Sequence, residues 1–251
     1  MTWDRGQFVA EVERTGLFAP DYADDMLVRL AHHSSAIEGN TLTLADTVTL
    51  LVDELTPTAG KELRELYEVS NHREVLARIL RAVSDDEPLT VGFVQDMHSA
   101  LMDHLAHDRG QFKTSSNFVT GASWPPAEPS QVPDLIRQWC DQTEWQTANL
   151  DGTALLEAIA QSHIAFERIH SFSDGNGRTG RAVIAYQTIR RFGFPSIVQA
   201  GQKPDYISML DREDVLGLAT MLATDLAVES ERYRGAAEGI TTPPGRRPAV
   251  S

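Results

Sequence analysis

One stretch of the sequence, His170-Ser-Phe-Ser-Asp-Gly-Asn-Gly-Arg-Thr-Gly-Arg181, concentrates chemically active residues. Apolar residues recur at helical spacing before and after it, so the stretch is predicted to join two helices. Its loop glycines, Gly175 and Gly177, permit positive φ and leave backbone N–H groups unobstructed. These groups would lie at the start of the second helix, where free donors and a partial positive charge favour a phosphate.

The side chains of this stretch fit attack on a nucleotide phosphate. Arg178 and Arg181 are three residues apart, share a helix face and can bind further phosphates. Asp174 would repel a bare phosphate, but it suits a Mg²⁺ ion that bridges phosphate oxygens. His170 can remove a proton from an attacking hydroxyl. The alternative is a plain loop beside a core histidine, which the agreement of so many positions in one run disfavours.

At these residues the sequence resembles the Fic family, whose signature is His-Pro-Phe-x-Asp/Glu-Gly-Asn-Gly-Arg-x-x-Arg. The one departure is Ser171, where proline is usual. The resemblance implies an all-helical fold and transfer of AMP from ATP to a Tyr, Thr or Ser hydroxyl of a protein. It also implies that His170 is the base and Asp174 the metal ligand. The phosphate contacts it implies are Gly175, Asn176, Gly177, Arg178 and Arg181.

A second feature is an acidic residue where a helix should end. Apolar positions predict a helix from about residue 21 to Glu38, and Gly39 is a suitable stop. The helix dipole disfavours an acid in the last turn, so Glu38 needs a cationic partner, for which Arg181 is the candidate. The alternative is an exposed surface charge. The resemblance extends here, because Ser34 to Gly39 fits the Ser/Thr-x-x-x-Glu-Gly/Asn pattern of an inhibitory helix, whose glutamate pairs with the second motif arginine in that family.

Residues 109–130 form the longest stretch without a helical pattern, and a β-hairpin is predicted within it. The corresponding region of the family is a flap that aligns the target segment of a protein substrate by strand pairing. The substrate contacts that this implies are Asn117, Phe118, Val119 and Thr120. The alternative is a mobile loop.

The composition argues against polyanionic partners and for a reducing compartment. The chain has 251 residues, of which 41% are hydrophobic, enough for one substantial core. Its net charge of −14 disfavours nucleic acid and anionic membrane, and its single cysteine excludes an internal disulfide. No apolar run approaches the roughly 20 residues of a membrane span, and the first residues lack the pattern of a signal peptide. A cytoplasmic protein is therefore expected.

The sequence thus predicts an all-α protein with a Fic-type helical core and a short β-hairpin flap, preceded by an inhibitory helix. The predicted regions are an N-terminal helical part at 1–88, a catalytic core at 89–235 and a disordered tail at 236–251. The residues are compatible with a homo-oligomer, but no pattern predicts one.

Three functional hypotheses follow from these patterns. The favoured one is an autoinhibited protein adenylyltransferase that uses ATP and Mg²⁺ and modifies a partner protein, with self-modification included. The first alternative is removal of AMP from a modified target, with Glu38 positioning water as in some relatives. The second is a silent module that binds nucleotide or a partner; His170 argues against it, since a pure binder needs no base.

Overall fold

The computed structural model describes residues 4–57, 60–118 and 124–237 of the chain. These residues form eleven α-helices and one short 3₁₀ helix, Ala200–Gln202, and they contain no β-strand. The α-helices are α1 (Arg5–Thr15), α2 (Pro20–Ile37), α3 (Leu44–Leu51), α4 (Leu63–Ser70), α5 (His72–Ser84), α6 (Val91–Leu101), α7 (Val132–Asn149), α8 (Gly152–Ile169), α9 (Asn176–Phe192), α10 (Lys203–Arg212) and α11 (Val215–Ala237). The predicted all-α class is confirmed.

Local capping rules explain several of the helix ends. Thr43 Oγ1 accepts a hydrogen bond from Asp46 N at 3.1 Å, and Asp46 Oδ2 accepts one from Thr43 N at 2.9 Å. This reciprocal pair is the capping box that the sequence predicts at the start of α3. Thr90 Oγ1 likewise accepts from Phe93 N at 3.1 Å and starts α6. Gly16, in the left-handed conformation with a φ of 62°, ends α1.

One helix boundary differs from the sequence-based expectation. A single helix over about 61–83 is predicted, but Asn71 separates α4 from α5. The buried Asn71 amide donates to Leu101 O and Asp103 O, both at 2.9 Å. The side chain therefore satisfies carbonyls at the end of α6, a tertiary contact that helical periodicity does not reveal.

Two apolar clusters form the core of the described residues. The larger one joins α1, α2, α5, α6 and α9, with fully buried side chains that include Phe8, Met26, Ile79, Phe93 and Tyr186. The smaller one joins α8, α10 and α11 to the opposite side of α9, through side chains that include Ile159, Ile184, Tyr206 and Leu218. Helix α9 is therefore packed on both sides, and the loop before it is held in a fixed place.

The predicted region boundaries near residues 88 and 235 remain predictions. The larger cluster contains side chains from both sides of residue 88, such as Phe8 and Phe93. Helix α11 runs to Ala237, and the rest of the predicted tail, 238–251, lies outside the described residues. None of the described helices combines the length and hydropathy needed to cross a membrane.

Candidate active site

His170 caps the C-terminus of helix α8 and has a left-handed backbone, with a φ of 49° and a ψ of 59°. A non-glycine residue rarely adopts this conformation, and such residues concentrate at functional sites. Burial lowers the pKa of the His170 imidazole from its ordinary value of 6.5. His170 Nδ1 is buried and has no hydrogen-bond partner among the described residues. The ring is therefore kept neutral and able to accept a proton.

The loop after His170 ends at the N-terminus of α9, as the sequence predicts. Gly175 has a φ of 76° and precedes the first residue of the helix, so the first backbone N–H groups of α9 face the loop. The Asn176 side chain closes the loop, because its Oδ1 accepts from Phe172 N and its Nδ2 donates to Phe172 O, each at 2.9 Å. A Cβ at Gly177 would collide with Glu38 Oε1, so the carboxylate could keep its present position only if residue 177 is glycine.

Arg178 is a buried cation that lacks close partners. Its Nη2 lies 3.6 Å from Asp174 Oδ1, and its Nη1 lies 3.7 Å from Glu68 Oε1. Both distances exceed those of hydrogen bonds, and Arg178 Nε and Nη1 have no hydrogen-bond partner within the described segments. Unsatisfied buried donors are unfavourable, so this guanidinium is suited to receive an anion.

Arg181, in contrast, is bound by the end of α2. Its Nη2 donates to Glu38 Oε1 at 2.6 Å and to Ser34 O at 2.9 Å, and its Nε donates to Ser34 Oγ at 3.1 Å. Burial is the largest single effect on Glu38 and opposes its ionisation. The charge and hydrogen bond of Arg181, together with the charge of Arg178, outweigh burial and lower the pKa of the Glu38 carboxyl. The contact between Glu38 and Arg181 that the sequence leads us to expect is present.

Asp174 lies on the open side of the loop with its side chain 52% exposed. Its Oδ1 accepts from Gly175 N at 2.6 Å, and its Oδ2 accepts from Arg64 Nη2 at 2.9 Å. No group of three or more His, Cys, Asp or Glu side chains in the described ranges could hold a metal ion. Mg²⁺, however, is commonly held by one or two carboxylates together with substrate phosphates. A single accessible carboxylate beside the helix N-terminus fits an Mg²⁺ ion that arrives with a nucleotide.

Sequence reasoning missed three residues that build this site, Arg64, Glu68 and His98. His98 Nε2 donates to Asp174 O at 3.0 Å, its Nδ1 accepts from Gly110 N at 2.8 Å, and its ring stacks on Phe172 at 3.7 Å. Burial lowers the pKa of His98 to about 4, so the ring is neutral, as these two contacts require. The His98 side chain thus holds the backbone of the Asp174 loop in place. Its place on the apolar face of α6 gives no signal of that role.

The described part of the predicted flap lies against the motif. Lys113 N donates to Ser171 O at 2.9 Å, and Asn117 Nδ2 donates to Phe172 O at 3.0 Å. Phe118 is 91% exposed, which is unusual for a large aromatic side chain. Val119 and Thr120 fall outside the described residues, as do the neighbouring residues 121–123.

Comparisons with known proteins agree with this geometry. Residues 88–188 match the model of the Fic/DOC family. A protein of Nematostella vectensis named protein adenylyltransferase Fic is 31% identical over 187 residues, which cover 72% of this chain and 42% of that protein. The chain thus spans less than half the length of that curated relative.

Solved structures share the fold. A Fic domain containing signaling protein from Bacteroides thetaiotaomicron has a TM-score of 0.79 and 23% identity, covering 95% of this chain and 99% of that one. A Fic family protein from Desulfovibrio desulfuricans has a TM-score of 0.65 and 25% identity, covering 95% of this chain and 75% of that one. With the family match at residues 88–188 and the relative that is 31% identical, the chain is shown to carry a Fic/DOC family domain.

Proposed function

We propose that this protein is an adenylyltransferase that moves AMP from ATP to a hydroxyl group of a protein, and that Glu38 inhibits it. The observation that carries the proposal is the pairing of a base with an unfilled anion site. The neutral His170 ring lies at one end of the loop, and the buried, underpartnered Arg178 lies at the other. The name of the Nematostella vectensis relative supports the same chemistry.

In the proposed reaction, His170 accepts the proton of the attacking hydroxyl group. The hydroxyl oxygen forms a bond to the α-phosphorus, and the bond from that phosphorus to the bridging oxygen breaks. Pyrophosphate leaves with that electron pair, so AMP remains on the target side chain. A His170 ring that is already neutral in the closed site needs no prior loss of a proton to act.

The remaining motif residues bind and orient the phosphates. The backbone N–H groups at the start of α9 and the free donors of Arg178 supply positive potential in a partly buried place. Asp174 is the residue that would hold Mg²⁺, which neutralises phosphate charge when it is bound. The proposed contacts of the target segment are the exposed Phe118 and the flap, whose Lys113 and Asn117 bind the backbone of Ser171 and Phe172 next to His170.

Inhibition follows from what occupies Arg181. Glu38 places a carboxylate against Gly177 and takes a donor of Arg181 that a phosphate would otherwise use. A phosphate at the same place would meet like charge at close range, which is unfavourable in a partly buried site. Activation therefore requires the end of α2 to move away from Arg181.

A second candidate function rests on Glu38 itself. Its lowered pKa keeps the carboxyl ionised, and its side chain is 38% exposed beside the loop. An ionised carboxylate in this place is suited to orient a water molecule towards an AMP-modified side chain. Incubation of a modified target without ATP tests this function: release of AMP by the wild type, but not by Glu38→Gln, would support it.

The primary test uses ATP labelled at either the α- or the γ-phosphate, with the Glu38→Gly variant and a cell extract. We expect protein labelling above that of the extract alone, self-labelling included, from the α-label only, and none in the variant that also carries His170→Ala. Thermal unfolding of the double variant shows whether it remains folded. Labelling from the γ-phosphate that exceeds the kinase background of the extract and depends on His170 would indicate phosphate transfer instead. Nucleotide binding without any labelling would favour the silent module.

A further inference from the structure

An arginine from outside the matched Fic/DOC segment reaches the proposed metal ligand. Arg64 lies in the first turn of α4, well before residue 88, where the matched segment begins. Its Nη2 donates to Asp174 Oδ2 at 2.9 Å across 110 positions of sequence. The Arg64 side chain is 53% exposed, so water reaches this ion pair.

The two carboxylate oxygens of Asp174 differ in their surroundings. Oδ1 accepts from Gly175 N at 2.6 Å and lies 3.6 Å from Arg178 Nη2, so it faces the loop and the buried arginine. Oδ2 faces the Arg64 guanidinium. A divalent cation needs a carboxylate oxygen free of competing donors, because donor hydrogens and a cation cannot share the same lone pairs. Arg64 therefore stands where the cation would approach.

Arg64 has a second partner that keeps it near the site when it leaves Asp174. Its Nε donates to Glu68 Oε1 at 3.0 Å, one helical turn further along α4. Glu68 is mostly buried, and its Oε2 is fixed by Asn40 Nδ2 at 3.0 Å. The guanidinium can thus give up Asp174 while it remains held by a rigid carboxylate. Exposed ion pairs are weak, so a doubly charged cation can displace Arg64 from Asp174.

We propose that Arg64 and a divalent cation are alternative occupants of the Asp174 carboxylate, so that Arg64 must leave Oδ2 before a cation is held there. This inference rests on the proposed function, since the cation arrives with the nucleotide. Arg64 is a positioning residue in this account. It keeps Asp174 paired while the nucleotide site is empty. It also sets how strongly binding of the cation favours binding of the nucleotide, and the reverse.

The test measures binding rather than catalysis. The dissociation constant of α,β-methylene-ATP is determined by calorimetry in EDTA and in saturating Mg²⁺, and the ratio of the two constants gives the coupling between metal and nucleotide. We expect Arg64→Gln to increase that coupling about two- to fivefold, the range that corresponds to losing one exposed ion pair. Arg64→Lys keeps a competing charge and should stay near the wild-type ratio.

Arg137→Gln is the matched control, because it removes an equal charge from an exposed ion pair with Asp134 on α7, at 2.8 Å. It should leave the ratio unchanged. In an Asp174→Asn background, Arg64→Gln should no longer alter the ratio. An unchanged ratio in Arg64→Gln alone would overturn the inference. A lower ratio would also overturn it, because Arg64 would then be a contact of the nucleotide phosphates. If the wild type binds no nucleotide in either condition, the proposed function fails first and this inference fails with it.

Discussion

Glu38 Oε1 lies 2.6 Å from Arg181 Nη2, although the two residues are 143 positions apart in the sequence. The contact is reinforced by Ser34, whose hydroxyl and carbonyl oxygens accept two further hydrogen bonds from Arg181. Helix α2 thus ends on an arginine in the second turn of α9. The proposed inhibition depends on the position of this one helix end.

His170 should act as a base at lower pH than an ordinary histidine. Burial lowers its pKa below 6.5, so the neutral, proton-accepting form persists as the pH falls past that value. The charge of Glu38 raises the pKa of His170, so the pKa of His170 should be lower still in the Glu38→Gly variant. We expect the acid limb of kcat/KM in that variant to have its midpoint below 6.5. A midpoint at or above 6.5 would show that His170 does not titrate as the buried base.

Gly180 is expected to be required for the packing of α9 on α8. A Cβ at this position would lie 2.5 Å from Glu167 Oε1 and 2.7 Å from His163 Cε1. Gly92→Ala is the matched control, since it is also helical but its Cβ would meet its nearest neighbour, Thr90 Oγ1, at 3.8 Å. Both substitutions replace a glycine in a helix by alanine, so their difference chiefly reports overpacking. Gly180→Ala should be less stable than Gly92→Ala by about 1–3 kcal/mol in urea unfolding, and equal stability would contradict the close approach of α8 and α9.

Glu167 should make the protein less stable as the pH rises. Burial raises the pKa of its carboxyl to about 8 from an ordinary 4.5, so the folded state binds more protons than the unfolded state between these values. The free energy of unfolding therefore falls through this interval, by at most about 1.4 kcal/mol per pH unit. Glu167→Gln removes this pH dependence. The free energy of unfolding of the variant, relative to that of the wild type, should therefore increase from about pH 5 to 8.

Glu157→Gln, on an exposed position of the same helix, is the control for that experiment. Its stability should follow the wild-type pH profile in parallel. If the stability of Glu167→Gln also follows the wild-type pH profile in parallel, then Glu167 is ionised in the folded protein and burial does not raise its pKa as described.

Much of the fold follows from rules that act over a few residues. The capping box at Thr43, the cap at Thr90 and the stop at Gly16 all depend on near neighbours, so each is readable from the local sequence. The motif loop is predictable for the same reason. Its glycines, asparagine and helix start lie within a few positions of one another.

The features that the sequence does not reveal depend on distant partners. Asn71 interrupts a helix because of carbonyls about 30 positions away at the end of α6. Arg64 meets Asp174 across 110 positions, and His98 supports the same loop from another helix. Glu38 is predicted from the resemblance of Ser34 to Gly39 to the inhibitory pattern, together with the conflict between its charge and its own helix, which is a local signal. Arg64 conflicts with no local rule and therefore gives no such signal.

The most direct test of this account compares initial rates of α-label transfer from ATP to proteins of a cell extract by the wild type, Glu38→Gly and Asp85→Gly. Asp85 is the matched control, an acidic residue at the C-cap of α5. Release of Arg181 should make Glu38→Gly at least about fivefold faster than the wild type, the low end of typical coupling between sites. Asp85→Gly should match the wild type. Equal rates for all three proteins would contradict inhibition by Glu38.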